Sequence, residues 1–164
     1  MENGLQELFL DELKDLYHAE HQVLKALPKM AKAASAPDLQ KAFQTHLRQT
    51  ETQIERLERI FKLMDMAPRS KRCKGMEGII EEGKEALEED FVPAVLDAAL
   101  VASTQRVEHY EMAGYGTLRT FAEMLGHTEA ARLLQETLQE EEDTDKLLTV
   151  LAKSHINQQA AHPA

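Results

Sequence analysis

Leu5, Leu8, Phe9, Leu13, Leu16, Ala19, Val23, Leu27 and Met30 keep returning to one face of a 3.6-residue period, and three later stretches of the chain repeat that pattern. The second is carried by Leu39, Phe43, Leu47, Ile54, Leu57, Ile60, Phe61 and Met64. Ala98, Val101, Val107, Tyr115, Leu118 and Leu125 carry the third, and Leu133, Leu134, Leu138, Leu147 and Leu151 the fourth. A helix with an apolar stripe must bury it against another element, so four such helices imply a bundle. Breakers are few, with 7 Gly and 5 Pro in 164 residues. Val and Ile are too sparse for a β-rich core.

The spacing predicts an all-α, antiparallel four-helix bundle forming one domain over residues 1–164, with helices at about 5–34, 38–66, 76–88, 92–125 and 128–153. Pro28 predicts a kink in the first helix. Ser35-Ala36-Pro37-Asp38 reads as a stop and restart, with the proline in the first turn of the next helix. So short a connection makes the first two helices antiparallel neighbours. Residues 67–74 form a basic stretch, and Met76, Ile79, Ile80, Gly83 and Leu87 make a shorter amphipathic helix, the crossover back to the starting end. Gly126 ends the next long helix and Thr128 is a candidate cap for the last. Residues 154–164 read as a frayed tail.

A net charge of −10, from 29 acidic and 19 basic residues, argues against nucleic acid as a partner, since affinity there comes from Lys and Arg neutralising phosphates. No apolar run approaches the length of a membrane span, and no polybasic segment offers itself to anionic lipid. Met1-Glu2-Asn3-Gly4 lacks the basic and apolar regions of a signal peptide. A single cysteine, Cys73, excludes an internal disulfide. The expectation is a cytoplasmic protein. Leu8, Phe9, Ile79 and Ile80 offer more apolar surface than one bundle hides, which predicts a homodimer.

The two helical hairpins align when the second is moved back by 91 positions. Ser35 then meets Gly126, Leu27 meets Leu118, Phe43 meets Leu134 and Leu57 meets Leu148. Glu20 meets Glu111, and Thr50 meets Glu141. Counting from the turns, Glu20 lies 16 residues before Ala36 and Gln53 lies 17 after it; Glu111 lies 16 before His127, with Glu141 and Asp145 14 and 18 after it. At about 1.5 Å of rise per residue these side chains share one level near mid-bundle. Any single Glu on an amphipathic helix is ordinarily solvated. Several at one level are another matter, because anions buried together repel and each costs several kcal/mol, a cost a cation removes. Glutamates projecting inward from facing helices hold iron or manganese pairs in bundle proteins. Glu108 shares the face of Glu111, and His46 shares that of Gln53. The candidate ligands are therefore Glu20, His46, Gln53, Glu108, Glu111, Glu141 and, more weakly, Asp145. Tyr17 and Tyr115 read as core aromatics.

Asp15-Leu16-Tyr17-His18-Ala19-Glu20, His46 through Gln53, Cys73-Lys74-Gly75-Met76-Glu77-Gly78-Ile79-Ile80-Glu81-Glu82, Val107 through Glu111 and Leu138 through Glu142 together resemble the YciE/YciF ferritin-like family of bacterial stress-associated proteins, nearer its YciF branch. The resemblance spans nearly the whole chain. It implies a rubrerythrin-like, ferritin-like bundle, a cytoplasmic dimer and a di-metal site, and it implies no reaction; iron or peroxide redox chemistry is the class that a metal held by those carboxylates would itself supply. Ferritin-like di-iron proteins carry Glu-x-x-His on the second and fourth bundle helices. Here that motif falls on Thr50/Gln53 and Glu141/Thr144, so three of the four positions depart from it, and His46, Gln53 and Asp145 are the available substitutes. The other reading is a metal-free bundle acting through dimerisation or partner binding.

Overall fold

The computed structural model describes residues 4–163. They form five principal helices and no strand: α1 (Leu5–Ala33), α2 (Pro37–Leu63), α3 (Lys74–Glu88), α4 (Pro93–Met124) and α5 (Thr128–Leu151), followed by a π-helical turn at Ala152–Ile156 and the short α6 at Asn157–Ala161. α1, α2, α4 and α5 are the bundle, and α3 is the helix of the crossover. α1 runs on through Pro28. Its buried residues Phe9, Leu13, Leu16, Ala19, Val23, Leu27 and Met30 are the periodic set read from the sequence, so the apolar stripe decides the helix and its orientation together.

The helix ends have local causes. Ala36 caps α2 with Pro37 at its first position, where the absent N–H costs nothing. α2 stops at Leu63, short of the expected 66, because Asp65 adopts the left-handed conformation at φ 54°. Asp65 N–H then bonds to Lys62 O and Met66 N–H to Phe61 O, which satisfies two orphan carbonyls. α4 closes in the same way at Gly126 (φ 76°), with His127 N–H donating to Ala122 O. Thr128 does not cap α5; it is the first helical residue, and His127 is the flanking one. The register also holds, since Ala33 and Met124 end their helices, and Pro37 and Thr128 start theirs, 91 positions apart.

Two further expectations fail. Residues 154–161 are helical rather than frayed, because Ile156 is buried to 1% exposure in the core and draws the segment against it. Phe9 is fully buried inside the bundle and offers no surface to an interface, though Leu8 beside it is 45% exposed. The crossover lies along α1, with Lys71 N–H bonding to Lys14 O and Cys73 N–H donating to His18 Nδ1. No helix among the described residues is long and apolar enough to cross a membrane.

Candidate metal centre

Four helices each deliver a polar side chain to one level of the core: Glu20 from α1, His46 and Gln53 from α2, Glu108 and Glu111 from α4, and Glu141 from α5, every one at most 1% exposed. Of the residues counted by depth, Glu20, Gln53, Glu111 and Glu141 are brought together at this level, His46 and Glu108 join them, and Asp145 does not. One donor atom from each of His46, Glu108, Glu111 and Glu141 lies within 4.8 Å of the others. Glu20 is outside that set of four but close enough for its charge to act on Glu111.

These groups are poorly served by the protein. Both oxygens of Glu108 and of Glu111, one oxygen each of Glu20 and Glu141, and both ring nitrogens of His46 have no hydrogen-bond partner. His46 Nε2 lies only 2.8 Å from Glu108 Oε1, yet the two are not aligned as a hydrogen bond. Buried polar groups normally find partners, so this concentration of orphans calls for an explanation. Carboxylate oxygens with one imidazole are a donor set suited to iron or manganese. A cation would engage the lone pairs left unmatched. The residues present fit such an ion.

Without a cation, the acids respond by holding protons. Burial raises the carboxyls of Glu20 and Glu108 to about 8, helped for Glu20 by the Glu141 charge and for Glu108 by the Glu20 charge. Glu111 and Glu141 are raised well above the ordinary carboxylate range, again chiefly by burial, with neighbouring glutamates adding repulsion.

A second ring of contacts steadies the cluster. The Tyr115 hydroxyl, fully buried, donates to Glu20 Oε1. Its position one turn past Glu111 was the available signal, but helix rotation decides whether a tyrosine at that spacing meets an acid or the core. The Gln53 amide donates both to Glu141 and, at 3.0 Å, to Glu140 Oε2. Glu140 is in turn gripped by both terminal nitrogens of Arg56 at 2.8 and 2.7 Å. A polar chain thus runs from the surface through Arg56, Glu140 and Gln53 to Glu141.

Asp145 stands apart. Its carboxylate turns outward to Gln105 Nε2 and His109 Nε2, both at 3.2 Å, and joins no ligand set. Thr50 and Thr144 are buried but spend their hydroxyls on backbone carbonyls, of His46 at 2.9 Å and Glu140 at 3.0 Å. The first hairpin's imidazole therefore enters from His46, one turn earlier than Thr50. Tyr17 reaches Glu58, away from the site.

Comparison with known proteins agrees with this architecture. Protein YciF of Escherichia coli strain K12 is 45% identical over 161 residues, 98% of this chain and 97% of that protein. The crystal structure of the E. coli stress protein YciF matches with a TM-score of 0.91 at 44% identity, covering 95% of this chain and 99% of the other. YcfI of Rhodopseudomonas palustris, described as a candidate structural protein, matches with a TM-score of 0.88 at 43% identity, over 90% and 94% of the two chains. A Xanthomonas campestris protein shares the fold at 22% identity, with a TM-score of 0.78 over 96% and 97% of the two chains. Residues 4–161 match the family model described as a domain of unknown function, DUF892, and this chain belongs to that family.

Proposed function

We propose that this protein is a metal-binding, ferritin-like bundle of the bacterial stress response, holding iron or manganese at mid-bundle in the cytoplasm. The observation that supports it is the convergence of His46, Glu108, Glu111 and Glu141, all buried, with most of their donor atoms unpartnered. Those four residues would hold the ion, and Glu20 would complete the carboxylate set from α1. Iron or manganese bound there would supply one-electron redox chemistry toward oxygen or peroxide. The protein's own part is to exclude water, to keep Glu20 oriented through Tyr115, and to tether Glu141 through Gln53. Elemental analysis of protein purified without chelator tests this: the expected result is at least one equivalent of iron or manganese per chain, released at acid pH as the carboxylates protonate. Metal-free protein that also fails to bind added Mn²⁺ or Fe²⁺ would overturn it.

The metal-free reading draws on Thr50, Gln53 and Thr144 standing where Glu-x-x-His is absent. It would become the better account after that negative result. Under either reading we propose a homodimer. Leu8, Leu63 and Met124 are 45%, 46% and 80% exposed at the same end of the bundle, where Gln6 of α1 meets His127. Light scattering at micromolar concentration should return twice the chain's 18.5 kDa mass.

A further inference from the structure

α3 covers the bundle incompletely. Only Met76, of its 15 residues, is fully buried, while Ile79, Ile80 and Leu87 pack against the core on its inward stripe and stay partly accessible. Between α3, α1 and α4 a cleft of about 530 Å³ remains, with Met30 of α1 and Val107 and Ser103 of α4 on its lining. That volume is typical of a small-molecule site, about 300–1,000 Å³. A two-turn helical peptide, about 10 Å across and 11 Å long, would fill roughly 900 Å³ and stand largely outside it.

The cleft carries charge of one dominant sign. Lys25 and Lys29, one turn apart on α1, and Lys84 on α3 line it, in a chain whose net charge is −10. The lysines that form ion pairs, Lys71 and Lys146, lie elsewhere. Among the described residues these three therefore have no carboxylate partner. Two acids also line the cleft. Glu77 is engaged by Arg72 Nε at 2.9 Å, which leaves Glu81 alone against three lysines. A partly accessible isoleucine and leucine surface in one cleft with unpaired ammonium groups is complementary to an apolar chain with an anionic head.

We infer that the cleft between α1, α3 and α4 binds a free medium-chain fatty carboxylate, its chain over Ile79, Ile80, Leu87 and Val107 and its head among Lys25, Lys29 and Lys84. The site is separate from the buried glutamates and does not depend on metal.

Calorimetric titration of the intact protein with decanoate, decanol and decyltrimethylammonium tests this inference. Decanoate should bind with 1:1 stoichiometry per chain, decanol about ten-fold more weakly, and the cationic amphiphile not measurably. The exposed double variant K29Q/K84Q should weaken decanoate at least ten-fold. G83L should abolish binding by filling the cleft from α3; an added Cβ there lies 3.7 Å from Ser103 Cβ, an ordinary contact, so the fold should survive, as an unchanged melting temperature would confirm. Equal binding of all three amphiphiles, or indifference to both variants, would overturn the inference. So would absence of decanoate binding, whether because anionic phospholipid vesicles bind instead or because a second copy of the chain, detected as a doubled mass lost in G83L, fills the cleft.

Discussion

The two hairpins share a frame and differ in what they place on it. Gln6 and Asp97 occupy equivalent positions, 91 residues apart, and each reaches across to the other hairpin's turn. Asp97, 2% exposed, accepts from Ser35 N–H at 2.7 Å, Ser35 Oγ at 2.6 Å and Ala36 N–H at 2.9 Å. Gln6 makes one contact with the opposite turn, 2.7 Å from His127 Nε2. At mid-bundle the imbalance has the same sense, since α4 and α5 contribute Glu108, Glu111 and Glu141 while α1 and α2 contribute Glu20, His46 and an amide. Repetition of the helices secures the packing, and the polar positions are then free to diverge. The second hairpin holds most of the negative charge, and its first turn holds the carboxylate that fastens the first.

That asymmetry gives the largest expected effect. Glu111→Ala should reduce affinity for Mn²⁺ or Co²⁺ by more than about 100-fold, beyond the 10–100-fold usual for partners of ligands, whereas its register mate Glu20→Ala should fall within that range because Glu20 is outside the closest set. Titration followed by cobalt absorption reads both. Equal losses would make the hairpins equivalent at the site and break the comparison.

Next comes the pair of tethers. Asp97→Ala strands two backbone N–H groups and a hydroxyl at the turn, and should cost about 2–3 kcal/mol, seen as a fall in Tm of about 5–10 °C. Gln6→Ala removes one partly buried contact and should cost under about 1 kcal/mol. Thermal denaturation of both variants, each without metal, checks the ratio.

The charge imbalance should also appear in the pH dependence of the metal-free protein. Glu20 and Glu108 rise from 4.5 to about 8 on folding, and Glu111 and Glu141 are likewise raised well above the ordinary carboxylate range. A carboxyl raised in the folded state contributes stability that is fully present below its unfolded value and lost as pH rises through the folded one. The Tm of metal-free protein should therefore fall between about pH 5 and 8.5. Metal affinity should move the opposite way, because binding needs the deprotonated ligands. Glu111→Gln should flatten the Tm profile, and an unchanged slope would mean these acids are not the groups responsible.

Much of this was legible in the residues, and the failures share a cause. Helix number follows from apolar periodicity, the antiparallel order from the short connections, and the 91-residue register from the two together, all one-dimensional properties. The common depth of Glu20, Gln53, Glu111 and Glu141 follows from constant rise per residue. Rotation about each helix axis and the fate of short polar segments do not. Tyr115 turns toward Glu20 rather than resting only among apolar neighbours. Residues 154–161 stay helical because the single apolar anchor Ile156 outweighs Ser154, His155 and Asn157 around it.

Asp145 is the sharpest case of rotation overriding depth, and it gives the smallest predicted effect. By counting, it lies only four residues beyond Glu141, one helical turn, and so should share that face. Four residues advance a helix by about 400°, so Asp145 is rotated by about 40° from Glu141 as well as raised by one turn. An aspartate is shorter than a glutamate, and from this place its oxygens meet Gln105 and His109 at the bundle's edge. Its charge helps to raise the Glu108 carboxyl, after burial and the Glu20 charge. Asp145→Asn should thus change metal affinity by less than about two-fold and stability by under about 0.5 kcal/mol, as befits a partly exposed ion pair. Cobalt titration beside Glu141→Gln, which removes charge one turn away and should lose binding outright, separates a ligand from a neighbour. A ten-fold loss in Asp145→Asn would place it in the ligand set, and the centre would then extend further along α5 than the four converging side chains do.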